Sequence, residues 1–149
     1  MKTLITALKN KNLTLAIAES CTAGYVSYLL TKTPGASKVF KGGVIVYSLE
    51  SKNKFFKIPY SILNKTQGVS KEVALTLAKG IRKQLKTDIG AAVVGFAGPE
   101  DKKTGTVFIS MVTKNKVLSR KLLLKGTRDK IRKQASHALI GLVYKELLQ

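Results

Sequence analysis

The run Glu19-Ser20-Cys21-Thr22 sets a carboxylate and three nucleophilic side chains side by side, where an apolar segment gives way to a helical pattern. A serine hydroxyl becomes a useful nucleophile only when a neighbouring base takes its proton. Histidine is the usual base. The chain has one, His137, which lies beside the apolar stripe of the last helical segment and reads as structural or exposed. The remaining route pairs serine with a lysine whose pKa is depressed by burial or by nearby positive charge. "VYSLESKNK" supplies a candidate, since Tyr47, Ser48 and Lys52 follow a strand-like segment. Lys52 lies one helical turn past Ser48, so both can face one crevice.

The same residues admit plainer readings. Ser20 or Thr22 can cap the helix that follows, whose first amides need acceptors. Cys21 can be a thiolate activated at a helix N-terminus, or a small buried residue beside a strand. Glu19 must be paired or hydrogen-bonded if it is buried. It can hold a cation such as Lys52, position a loop amide, or form a surface salt bridge. Near the other end, Arg128 or Arg132 can grip a phosphate at the start of the last helix, or stay solvated.

Apolar spacing indicates what must position these groups. It predicts a helix over Met1–Lys9 with Leu4, Ile5 and Leu8 on one face, then a doubly buried strand at Leu13–Ala18. A helix over Thr22–Lys32 turns Val26, Leu29 and Leu30 inward and is stopped by "TPGAS". Val39–Tyr47 is β-rich, and its paired Gly42 and Gly43 suggest a bulge or a close backbone approach. Helices at Leu49–Lys57 and Tyr60–Leu63 precede a longer one, capped by Ser70, with Val73, Leu77, Ile81 and Leu85 inward. Ile89–Phe96 is a second buried strand, and Thr106–Thr113 with Val117–Leu124 reads as a hairpin. Arg128–Leu147 closes the chain as a helix with Ile131, Ala135, Leu139, Leu142 and Val143 inward.

This alternation predicts one α/β domain over residues 1–149, a mixed sheet covered by helices on both faces. Open sheets of this kind place sites beyond the carboxyl ends of their strands. Glu19–Thr22, Tyr47–Lys52 and Ala97–Glu100 are therefore expected to meet in one crevice.

The net charge of +19 over 149 residues favours contact with polyanions and with phosphorylated small molecules. The lysines are spread along the chain, with no RNP-like aromatic motif and no zinc-finger spacing, so nucleic-acid contact is expected to be non-specific at most. No apolar run approaches the roughly 20 residues of a membrane-spanning helix. The first residues read as a helix and not as a signal peptide, and a single cysteine suits a reducing compartment, so a cytoplasmic location is expected.

Taken together and in order, four stretches resemble the C-terminal domain family of CinA. They are "AESCTAGYVSYLLTKTPGASKVFKGGVIVYSLESKNKFF", "QGVSKEVALTLAKGIRK", "GFAGPEDKKTGTV" and "KGTRDKIRKQASHALIGL". The resemblance covers nearly the whole chain, and a family member of this length is expected to be a stand-alone form lacking the N-terminal domain of the longer proteins. It implies a three-layer α/β/α sandwich with a mixed, mostly parallel sheet, often dimeric. The implied activity is deamidation of nicotinamide mononucleotide, a small phosphorylated nucleotide, with release of ammonia and no organic cofactor. By position, Ser20 matches the family's nucleophile and Lys52 its base. Tyr47, Ser48 and Thr22 match pocket positions, with Glu19 and Cys21 beside them, and Gly98 and Arg128 fall in segments that border the ligand.

Several positions depart from the family pattern. Leu49 and Ser51 replace the asparagine and alanine of Y-S-N-E-A-K, Val94 replaces a hydroxyl residue, and Ala23 a glycine. The glycine-rich loop after Gly98-Pro99 shortens to "EDKKTG", bringing in Glu100 and Asp101, with Lys102 or Lys103 as substitute phosphate contacts. These departures motivate an alternative, a family fold that binds a nucleotide or a partner without turnover.

Overall fold

A computed structural model of the chain describes residues 2–100 and 102–149; Met1 and Asp101, both named above, lie outside them. Five strands form one sheet: β1 (Leu15–Glu19), β2 (Phe40–Ile45), β3 (Ile89–Gly95), β4 (Thr106–Val112) and β5 (Val117–Leu123). Their order is β2-β1-β3-β4-β5, with β2, β1 and β3 mutually parallel and β4 antiparallel to both β3 and β5. Four strands thus run one way and β4 alone is reversed. The hairpin of β4 and β5 takes the place of a further crossover helix.

The helices are α1 (Lys2–Asn10), α2 (Tyr25–Thr31), α3 (Leu49–Phe56), α4 (Tyr60–Thr66), α5 (Lys71–Leu85) and α6 (Arg128–Leu147), with a short 3-10 turn at Ala36–Lys38. Strand alternation sorts their partners. Leu15 and Ile17 of β1 join Ile89, Ala91 and Val93 of β3 in a core with Leu4, Ile5 and Leu8 of α1, Val26 and Leu30 of α2, and Ile131 and Leu139 of α6. Ala16, Ala18, Ala92 and Val94 point the other way, onto Val73, Leu77 and Ile81 of α5 and Leu63 of α4. The result is a three-layer α/β/α sandwich. Residues on the α5 side of the central strands are small, which lets that helix lie close to the sheet.

Several local expectations hold in detail. Ser70 caps α5 by accepting a hydrogen bond from the Val73 amide. The pairing of β1 with β2 slips between Leu15 and Ala16, and a Cβ on Gly43 would fall 2.5 Å from the Ile17 carbonyl oxygen. Both the bulge and the close approach are therefore real. Two inward assignments are corrected. Leu85, in the last turn of α5, is 39% exposed, and Leu142 of α6 is only half-buried. Each sits off the centre of its helix's buried stripe, where Ile81 and Val143 cover the sheet. No helix of the described residues is long and apolar enough to cross a membrane.

β1 is the point where the winding changes direction. From it the chain passes through α2 to β2 on one side, and from β2 it returns through α3, α4 and α5 to β3 on the other. Loops leaving the ends of β1, β2 and β3 diverge there, which opens a crevice above the sheet.

Candidate active site

The loop after β1 is built around Glu19. Its carboxylate is 1% exposed and accepts from the Thr22 hydroxyl, the Ser27 hydroxyl, and the amides of Gly24, Val26 and Ser27. All five partners are donors, as an acceptor-only group requires. The negative charge also sits at the amino end of α2, where the helix dipole favours it. Glu19 thus performs the capping that Ser20 and Thr22 were expected to perform. The helix starts at Tyr25 and not at Thr22, because Ala23 and Gly24 adopt left-handed conformations, φ 48° and 93°, that delay it by three residues. Of the roles open to Glu19, positioning of loop amides is the one realised, and it does not line the crevice.

With its hydroxyl freed from capping, Ser20 meets Lys52. The ammonium Nζ lies 2.9 Å from Ser20 Oγ and donates also to the carbonyls of Val46, at 2.8 Å, and Tyr47, at 3.1 Å. Lys52 is 2% exposed and has no carboxylate partner among the described residues. Burial lowers its pKa from the ordinary 10.5 to about 8, opposed by interaction with Cys21. In its neutral form the amine retains two N–H bonds for the two carbonyls, and its lone pair then faces Ser20. That is the arrangement a base needs.

Lys52 is held by its surroundings. It projects from α3, whose N-cap is Ser48; the Ser48 hydroxyl accepts from the Ser51 amide. Ser48 is therefore a helix cap and not a crevice residue, a correction that follows from hydroxyl geometry at a helix start. Behind Lys52 lies Gly68. A Cβ there would come 2.8 Å from Leu49 Cδ2 and 3.4 Å from Lys52 Cδ and Cε, and φ is +72°.

The crevice, of about 490 Å³, is lined by Ser20, Cys21, Tyr47, Lys52, Glu100 and Arg128, together with Gln67, Val69 and the 95–98 segment of β3 and its loop. The three loops expected to meet do meet. This volume suits a small organic ligand. Cys21 is 5% exposed, and burial pushes its thiol up to about 11, against the lowering effects of its own amide, Arg132 and Lys52. It stays protonated and recedes as a nucleophile. Thr22 is fully buried on Glu19 and does not reach the crevice.

α6 closes the far side. Arg128 donates to the Gly98 carbonyl and, at 3.0 Å, to the Tyr47 hydroxyl, joining the loops after β3 and β2 at the mouth. Arg132, one turn on, donates to the carbonyls of Cys21 (2.9 Å) and Thr22 (3.2 Å). Its guanidinium is turned onto the loop and does not line the crevice, so of the two arginines offered for a phosphate only Arg128 borders it. His137 is exposed and outside the lining, and so are Lys102 and Lys103; the Lys103 ammonium lies over the Phe96 ring. Gln67, Val69 and Phe96 were not singled out from the sequence. The only signal for the first two was their place in or beside "QGVS", between two helices. Among the described residues no three His, Cys, Asp or Glu side chains come together as a metal site.

A three-layer sandwich with a buried serine–lysine pair at the switch point of its sheet defines the class of domain. The chain belongs to the CinA C-terminal domain family, whose sequence profile matches residues 1–147. It is 38% identical over 144 residues to a putative competence-damage inducible protein of Moorella thermoacetica, covering 94% of this chain and 35% of that one. A protein of the same description from Clostridium beijerinckii is 42% identical over 133 residues, 87% of this chain and 32% of that one. The chain thus spans about a third of the length of the curated relatives it matches. Among solved structures, a competence or damage-inducible protein from Enterobacter asburiae superposes with a TM-score of 0.93 at 27% identity, covering 98% of this chain and 94% of that one. A competence/damage inducible protein from Agrobacterium tumefaciens gives 0.92 at 27% identity, with 98% and 92% covered.

Proposed function

We propose that this chain is an amidohydrolase of the serine–lysine type, acting on the carboxamide of nicotinamide mononucleotide. The observation that carries the reading is the 2.9 Å contact between Lys52 Nζ and Ser20 Oγ in a site where, among the described residues, no carboxylate pairs with Lys52. Neutral Lys52 takes the Ser20 proton as Oγ attacks the carboxamide carbon. The resulting ammonium returns that proton to the amide nitrogen, the C–N bond breaks, and ammonia leaves. A water then attacks the ester on Ser20, giving its proton to Lys52, and the carboxylic acid departs as Ser20 is reprotonated. Oxyanion stabilisation is assigned to the loop amides. Those of Ser20, Ala23 and Tyr25 are already bonded to backbone carbonyls and that of Cys21 faces its own thiol, whereas that of Thr22 takes part in none of the turn's backbone bonds among the described residues. Arg128, at the mouth with neutral partners, suits the substrate's phosphate.

The nucleotide itself rests on the family resemblance of the ordered motifs. Ammonia release from nicotinamide mononucleotide by purified protein tests the reading, and turnover no greater than that of Ser20→Ala would sink it. Glu100 favours a second reading. Its carboxylate lines the same crevice as Arg128 and opposes an anionic ligand, so binding without turnover is the outcome that would replace the first. Calorimetry with the mononucleotide and with its acid product separates the two.

A further inference from the structure

Arg132 makes no contact with the crevice, yet it grips the loop that carries Ser20. Its guanidinium spans two successive carbonyls, Cys21 through Nε and Thr22 through Nη2, two donors fixed in one plane. The mount is firm, because the adjacent Ile131 and, one turn on, Ala135 are buried in the core. The loop needs such a hold. It turns through Ala23 at φ 48°, a conformation that costs a residue with a Cβ, and among the described residues the Cys21 carbonyl accepts from Arg132 alone. Peptide planarity carries the grip further. With the Cys21 oxygen fixed toward α6, the Thr22 N–H of the same peptide unit must point the opposite way.

We infer that Arg132 is a positioning residue for acyl transfer. It holds the Ser20–Thr22 turn so that Ser20 Oγ stays on Lys52 and the Thr22 amide stays turned away from α6, toward a developing oxyanion. This rests on the serine–lysine reading above. The charge of Arg132 stays on the loop's own carbonyls, so its loss acts on the chemical step and leaves ligand binding nearly untouched.

The test measures kcat and KM for the intact chain and for Arg132→Ala and Arg132→Lys. Misplacing a nucleophile by about 1 Å costs on the order of 100-fold, so kcat of R132A is expected to fall about 10- to 100-fold with KM within about threefold. R132K recovers part of the loss, and added methylguanidinium restores part of the R132A rate. A kcat within twofold of wild type, or a KM that rises while kcat holds, overturns the inference. If R132A does not fold, judged by circular dichroism, the same division is read from R132K and Arg132→Gln. Labelling of Ser20 by a fluorophosphonate probe separates the two levels. A wild type that neither turns over nor acylates overturns the serine–lysine reading and this inference with it; an active wild type matched by R132A overturns this inference alone.

Discussion

Ser20 and Lys52 are 32 residues apart in the chain and 2.9 Å apart in the structure, the one on the loop leaving β1 and the other on the first helix after β2. Their contact depends on three devices: the carboxylate of Glu19, the cap of Ser48 and the missing side chain of Gly68.

The first prediction concerns pH. Only neutral Lys52 can accept the Ser20 proton, and burial places its pKa at about 8. Activity should therefore climb about tenfold between pH 7 and 9 and level off above. The same shift couples to stability. A group whose folded pKa lies below its unfolded value of 10.5 destabilises the fold fully below pH 8, and the penalty fades as pH rises to 10.5. The gain across that window is about 3 kcal/mol. Lys52→Met should abolish both the activity and the stability slope, as read by urea unfolding at pH 7, 9 and 10.5.

Glu19→Gln keeps the shape of the side chain and replaces one acceptor oxygen by a donor. At least one helix amide then faces a donor, so a loss of about 2–3 kcal/mol is expected. The urea midpoint should fall with an unchanged m-value. A midpoint equal to wild type would show that the five hydrogen bonds to Glu19 carry no stability.

Gly68→Ala strains a left-handed backbone position and presses on Leu49 and Lys52. Destabilisation of about 1–3 kcal/mol is expected. Because Lys52 moves, kcat should fall together with stability, whereas a substitution at the exposed His137 should alter neither.

Charge supplies a fourth. Only two ion pairs, Lys116–Glu146 and Lys133–Asp129, form among the described residues of a chain carrying +19. Weak binding to duplex DNA of any sequence is expected at 50 mM salt and should vanish near 200 mM, by fluorescence anisotropy. Binding that survives the higher salt would point to a specific surface instead.

Much of this was legible in the chain. The two doubly buried strands, the hairpin, the Ser70 cap, the bulge just before Gly42 and the close approach at Gly43 follow from apolar spacing and from glycine's lack of a Cβ, both local properties. So does the convergence of three loops, since strand direction decides where carboxyl ends lie. Ser48 was assigned to the crevice because it stands one helical turn before Lys52. Spacing along a helix does not reveal that a hydroxyl at its first position turns back onto an amide. Arg132 looked like a phosphate ligand for a similar reason, since nothing in its neighbours tells that two carbonyls 110 and 111 residues away will claim it.

By itself, then, the sequence determined the layers and the order of the elements, because these depend on side-chain type and periodicity, and it offered Ser20 with Lys52 as one candidate pair. Tertiary structure alone decided which hydroxyl is free and which lysine is desolvated. Glu19 takes the capping role and releases Ser20, while burial brings Lys52 toward neutrality. Both effects arise from neighbours distant in the chain, and only folding brings those neighbours within hydrogen-bond reach.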